Sequence, residues 1–146
     1  MTTHNAPDEK DIRERVDVLV EAVTNRDLDT VRTVFAPDLV SYDIVPPLRH
    51  LGAEAKWQNW IDVFTTYQAP IGYEVRDLSV VVDGDLAVVH SLNRIDGTLT
   101  NGARNEYWLR WTACWRRLDG EWLIAHDHVS VPTDFRSGRS VLDLEP

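Results

Sequence analysis

A single cysteine, Cys114, stands in a chain of 146 residues, so no internal disulfide can form. Set among apolar and aromatic neighbours, it reads as a small buried side chain rather than a reactive thiol. Basic residues are also few: 15 Lys and Arg against 24 Asp and Glu give a formal charge of −9. That balance argues against a nucleic-acid partner, which needs a basic face. No apolar run approaches the length of a membrane span. Residues 1–11, MTTHNAPDEKD, lack the charged-then-apolar order of a signal peptide. A soluble, cytoplasmic protein with no membrane partner is expected. Nor is there a glycine-rich phosphate loop, a GxSxG elbow or a CxxC pair. Nucleotide cofactors and serine-hydrolase chemistry are therefore not expected, and no cofactor is assigned.

What the chain does hold is tryptophan, six in all. Trp57 and Trp60 lie in one segment; Trp108, Trp111, Trp115 and Trp122 lie in another. Such side chains build cores and line apolar ligand cavities equally well, so both uses stay open. The length suggests one domain, large enough to bury its own core. Residues 1–11 read as a flexible arm, 12–132 as the domain and 133–146 as a tail. Ile12, Val16, Leu19, Val20 and Val23 recur at helical spacing, predicting a helix over 8–25. Asp27 can cap a short second helix holding Leu28, Val31, Val34 and Phe35, stopping before Pro37. Residues 39–45 read as a strand ended by Pro46-Pro47. Gly52 to Tyr67 reads as a third helix. Beyond it the period changes to two, and 72–82, 85–99, 104–118 and 121–131 read as strands joined by turns. Helices followed by a meander of hairpins give an α+β plan. A curved antiparallel sheet, a cone-like roll, packs on three N-terminal helices with a pocket between.

The turns predict which residues share a face. A two-residue turn at Asp119-Gly120 sets Ala113 opposite His126 and Trp111 opposite His128. A turn at Asn101-Gly102 that pairs Thr100 with Ala103 sets Ala113 opposite His90 as well. On this register His90 and His126 flank Ala113 with their Cβ atoms roughly 10 Å apart, leaving space for a small ligand. Leu92, His128 and Trp111 then line the same face, with Trp57 and Trp60 across from them. One β-bulge would reverse the assignment and bring Asn93, Trp108, Arg110 and Asp127 inward instead. Arg110 could then grip a carboxylate, whereas on the first register Arg110 and Asp127 can form an outward ion pair. Histidines and aspartates are ligand types for zinc or iron. His90 and His126 nevertheless sit two strands apart, too far for bonds of ~2.1 Å to one ion, and no metal is assigned. His50 reads as a surface residue, and Tyr42 as a core one.

Two segments carry a family likeness. RDLDTVRTVFAPDLVSYDIVPPLRHLGAEA has a short helix, an Ala-Pro-Asp corner and a strand ending in an acid. WTACWRRLDGEWLIAHDHVSVP has a DGxWxIxHxHxS closing hairpin. Over roughly residues 10–132 the chain resembles SnoaL-like, ketosteroid-isomerase-like proteins of the nuclear transport factor 2-like superfamily. The resemblance implies the α+β fold above. It also implies a catalytic base at Asp43, where such isomerases keep theirs; the alternative is a turn aspartate bonding nearby backbone. The isomerase's tyrosine falls on Leu19 and its second carboxyl near Ala113, neither a hydrogen-bond donor. Steroid isomerisation itself is therefore not expected. His90 and His126 could donate from almost the same place. The fold hosts isomerases, dehydratases, cyclases, hydrolases and binding domains. Two functions follow: cofactor-independent acid–base proton transfer on an apolar carbonyl compound, with Asp43, His90 and His126 as catalytic groups, or a non-catalytic ligand-binding or oligomerisation domain. A homodimer through the convex sheet face is expected, with Val89, Cys114 and Val129 among its apolar residues.

Overall fold

A computed structural model describes residues 6–146, so the first part of the expected arm lies outside the described residues. Helix α1 spans Ala6–Thr24, which makes residues 6–11 helical rather than a loose arm. Its stripe of Ile12, Val16, Leu19, Ala22 and Val23 is buried, and it lies across the sheet. Asp8, near its start, bonds Arg117 at 2.6 Å and ties the helix to the last long hairpin. Helix α2, Leu28–Arg32, is capped by Asp27, whose carboxylate accepts from the Thr30 N–H. It ends earlier than its apolar pattern suggests. Val34 and Phe35 leave the helix, and strand β1 already runs from Phe35 to Tyr42. Pro37 is tolerated in β1 because it lies where the pairing is interrupted, between Phe35 and Val40.

Strand β2 is His50–Leu51, helix α3 is Ala53–Thr66, and the meander follows as β3 (Gly72–Asp83), β4 (Leu86–Thr98), β5 (Arg104–Leu118) and β6 (Glu121–Ser130). The sheet order is β2-β1-β6-β5-β4-β3. The pairing is not purely antiparallel: β1 runs parallel to β6, with Ser41 beside Asp127. That pairing joins the chain's first strand to its last long one, which no short-range pattern could announce. In the tail, β7 (Thr133–Asp134) and β8 (Arg139–Ser140) form a small hairpin.

Register is where the structure departs most from expectation. The Asp119-Gly120 turn forms as anticipated: Leu118 pairs with Glu121, and both turn residues have positive φ, 51° and 82°. Four residues into β6 a bulge intervenes. Trp115 pairs with Ile124, but Cys114 pairs with His126, leaving Ala125 extra. The β4–β5 connection is a three-residue loop in which Leu99 N–H bonds the Ala103 carbonyl and Gly102 takes a φ of 89°. Its register is one step from the expected one, so His90 faces Thr112 rather than Ala113. The two changes act together. Val89, Ala113 and Asp127 form the inward lane, and His90, Thr112 and His128 form the outward one. A second bulge, with Asp77 at φ 57°, interrupts β3–β4 between Arg76 and Ser79. Helices α1 and α3 cover the inward face, and Trp115, Ile124, Val89 and Ala113 are fully buried beneath them.

Candidate functional site

Between the helices and the inward sheet face lies a cavity of about 410 Å³. Its walls are mostly apolar, with Leu19, Phe35, Trp60, Ile71, Leu109 and Val129 among them. Set into this wall is a buried charged cluster. Lys56 is only 3% exposed, and its Nζ reaches Asp43 Oδ2 at 2.8 Å, Ser41 Oγ at 3.1 Å and Asp127 Oδ2 at 3.3 Å. Those are three acceptors for the three protons of an ammonium. Ser41 Oγ in turn donates to Asp127 Oδ1 at 2.5 Å, and Trp111 Nε1 donates to Asp127 Oδ2 at 3.4 Å. Asn59 Nδ2 donates to Asp43 Oδ2 at 2.9 Å and lies 3.2 Å from His50 Nε2. The Ile44 N–H caps the other Asp43 oxygen at 2.7 Å.

Local structure explains the convergence. Ser41, near the end of β1, and Asp43, just past it, are two apart and both reach Lys56, while Tyr42 points outward. Lys56, Asn59, Trp60 and Val63 recur at i, i+3, i+4 and i+7 on one face of α3, and all four line the cavity. Asp127 arrives through the Ala125 bulge and the parallel pairing with Ser41.

Electrostatics here hold Asp43 away from neutrality. Burial pushes the Asp43 carboxyl up, but the Lys56 ammonium and the donors Lys56, Asn59 and Ile44 outweigh it and hold the group below its ordinary value. Burial likewise pulls Lys56 down, and the carboxylates of Asp127 and Asp43 more than restore it, so its pKa is raised. Lys56 therefore stays an ammonium, without the free amine that nucleophilic lysine chemistry requires. The cluster carries two carboxylates against one cation.

The predicted site residues divide sharply. Asp43, Trp60, Trp111 and Asp127 line the cavity. Asn93, fully buried, stands behind it and donates to Tyr73. His90 is exposed on the outer face. His126 donates through Nδ1 to the Val40 carbonyl at 2.7 Å and packs edge-on to Tyr42, on the outer side. His128 also lies outside, its ring 5.8 Å from that of Tyr42. The bulge and the loop register turned these three histidines away from Ala113. Leu92 shares the outward parity of His90 and pairs with Arg76 and Arg110. Trp57 packs on Phe35 and Arg32, away from the cavity. Of the alternative set, Trp108 lies under Arg76 and Arg110 bonds Ser130 outside, so neither faces the cavity. The expected Arg110–Asp127 pair is absent, because the two residues point to opposite faces and Asp127 takes Lys56. His50, expected at the surface, is 5% exposed, and Tyr42, expected in the core, is 41% exposed. Among the described residues no group of three His, Cys, Asp or Glu side chains could hold a metal ion. No helix among them is long and apolar enough to cross a membrane.

Sequence reasoning missed Lys56, Ser41 and Asn59, and also Tyr73 and Tyr107, which line the cavity. The first three had a signal. Lys56 and Asn59 share the helical face of Trp60, and Ser41 shares the strand face of Asp43.

Comparison with known proteins agrees with this architecture. The sequence model of the SnoaL-like domain matches residues 12–134. An NTF2-like protein from Pseudomonas putida KT2440, of unknown function, superposes with a TM-score of 0.87. It is 29% identical, over 97% of this chain and 98% of that one. A ketosteroid isomerase-like protein from Erwinia carotovora atroseptica superposes with a TM-score of 0.71. It is 20% identical, over 84% of this chain and 94% of that one. The association domain of C. elegans CaMKII superposes with a TM-score of 0.70. It is 15% identical, over 89% of this chain and all of that one. The last two are likenesses of fold. No curated protein sequence matches. With its domain match, sheet order and helix-covered cavity, the chain belongs to the SnoaL-like family of NTF2-like proteins.

Proposed function

We propose that the cavity binds a small, uncharged, largely apolar carbonyl compound. On it Asp43 moves a proton without a cofactor, as an isomerase, cyclase or dehydratase would. The observation that carries this is the Asp43–Lys56–Asp127 cluster in the wall of an otherwise apolar cavity. Asp43 is the working carboxylate because it is the more open of the two, 10% exposed against 2% for the Asp127 side chain. It borders both the inner cavity and a second groove, lined by Tyr42, Leu48, His128 and Ser130. Asp127, held by Ser41, Trp111 and Lys56, positions the ammonium. Lys56 keeps Asp43 ionised and able to accept a proton at neutral pH. The same interaction makes it a weak base, so the C–H bond it attacks must be acidified by an adjacent carbonyl. By the family resemblance the donors of steroid isomerases fall on Leu19 and near Ala113, which argues against that particular reaction.

Exchange of α-protons tests this without knowledge of the natural substrate. Neutral ketones are incubated with the protein in D₂O, and loss of the α-proton signal is followed by NMR. Exchange should be protein-dependent and should slow by roughly 10²–10⁴ in Asp43→Asn. Ketones that bind without exchanging would favour the second reading, a binding or oligomerisation domain. One observation favours that reading: every proton of Lys56 is already taken by the cluster itself. A homodimer through the outer sheet face belongs to either reading.

A further inference from the structure

Tyr73 lines the same cavity and takes no part in the carboxylate cluster. Its hydroxyl accepts from Asn93 Nδ2 at 2.7 Å. Ser91 Oγ donates to Asn93 Oδ1 at 2.6 Å, and the NH₂ of the same amide faces Tyr73. Asn93 is fully buried and Ser91 is 5% exposed, which leaves the amide no water to turn toward. The phenol oxygen thus receives one hydrogen bond, while its own proton has no acceptor among the described residues. Burial pushes the Tyr73 hydroxyl up, and the charges of Asp127 and Asp43 add to this, so it stays a donor. A second unused donor, the buried indole Nε1 of Trp60, belongs to another residue of the cavity wall.

We propose that Tyr73 is the residue that selects the ligand, donating its phenolic proton to a carbonyl oxygen, with Asn93 and Ser91 as the residues that position it. This rests on the cavity being the ligand site. A donor that faces the cavity and has no protein acceptor favours a ligand that supplies one. An aligned phenol also supplies what a weak base needs, stabilisation of the negative charge that develops on the carbonyl oxygen as the α-proton leaves. The charge of the cluster settles the ligand's own charge. Two carboxylates and one ammonium repel an anion, so an uncharged ketone is accepted and a carboxylate of the same shape is refused. Tyr73 thereby discriminates by donor chemistry and the cluster by charge.

Three probes of one shape separate these effects: 2-acetylnaphthalene, 2-ethylnaphthalene and 2-naphthoate. Their affinities are measured by NMR titration, together with the ¹³C shift of the ketone labelled at its carbonyl. Wild-type protein should prefer the ketone to the hydrocarbon by about 3- to 10-fold, and the naphthoate should bind weakest. In Tyr73→Phe the ketone should lose that advantage and the carbonyl shift should move back toward its value in an apolar solvent. The hydrocarbon should bind as before, which also reports that the variant is folded. Ser91→Ala, which frees the amide to turn, should reduce the ketone preference without touching hydrocarbon binding. Equal wild-type affinity for ketone and hydrocarbon would overturn the proposal, as would a preference unchanged in both variants. Equal loss of both probes in Tyr73→Phe, with Ser91→Ala unaltered, would make Tyr73 a packing residue and also overturn it. A wild-type protein that binds none of the three would defeat the cavity as a ligand site and the Tyr73 role with it. A Tyr73-dependent ketone preference without α-proton exchange would leave Tyr73 standing and remove the proton-transfer reading alone.

Discussion

Lys56 is the residue on which the buried cluster depends, because it is the only cation within reach of Asp43 and Asp127 among the described residues. Replacing it by Met keeps the volume but strands two carboxylates in an apolar wall. Breaking a buried pair by removing one partner costs about 3–5 kcal/mol, far more than any exposed pair of this surface is worth. Lys56→Met should therefore lower the urea midpoint strongly. The pH dependence identifies the cause. Asp43 is depressed in the folded protein, so its contribution is present above its ordinary value of 3.8 and is lost as pH falls through the folded value. Lys56 is raised, so its contribution is complete below 10.5 and is lost as pH rises through the folded value. Between these limits the wild type keeps the full benefit. Below pH 3.8 its ion pair with Asp43 fades, and the stability gap to Lys56→Met should narrow. Urea melts of both proteins from pH 7 down to 2.5 would show this, and a gap constant over that range would mean Lys56 acts by packing alone.

At the scale of elements, close approach depends on Gly97 in β4. A Cβ built there would lie 2.6 Å from Tyr67 Cδ1 at the end of α3, and Tyr67 is 4% exposed with its hydroxyl held by Asn105. Gly97→Ala should cost about 1–3 kcal/mol, as overpacking does. Most of that loss should vanish in a background of Tyr67→Leu, measured as a double-mutant cycle in urea. An unchanged cost there would place the clash elsewhere. Elements of this kind were readable in the sequence because their causes are local. The apolar stripe of α1, the Asp27 cap and the Asp119-Gly120 turn depend on residues a few positions apart, and so the helices and long strands lie close to where the pattern put them. The facing of the strands was not readable. Ala125 looks like any strand residue, yet as a bulge it turns His126 and His128 out and Asp127 in. The polar run His126-Asp127-His128 has nearly the same hydrophilicity on either parity, so periodicity could not choose between them. Asp43 could be named from a resemblance alone. Its partners Ser41, Lys56 and Asp127 come from three elements joined by a parallel pairing that only tertiary structure creates.

For the whole molecule, the corrected register also changes which apolar residues meet solvent. Val89 and Val129, expected on the outer face, turn inward, with Val89 fully buried and Val129 lining the cavity. The outer face instead exposes Val81 at 64%, Leu86 at 59% and Val88 at 47%. Val81 pairs with Val88 and Val88 with Cys114, so they form one continuous lane across β3, β4 and β5. In a chain of charge −9, copies repel one another at long range, and an apolar lane left in water is a liability unless something covers it. A second copy of the same sheet face would cover it with a two-fold, self-complementary contact. Sedimentation velocity at micromolar concentration should then give a dimer, held more firmly at higher salt as the repulsion is screened. Val88→Asp should shift it to monomer. Its thermal melt at low protein concentration should change little, because the side chain points away from the core. The cavity lies on the other face, so ketone binding should survive in the monomeric variant. A wild-type monomer under these conditions would defeat the dimer, and a Val88→Asp protein that still dimerises would move the interface off this lane.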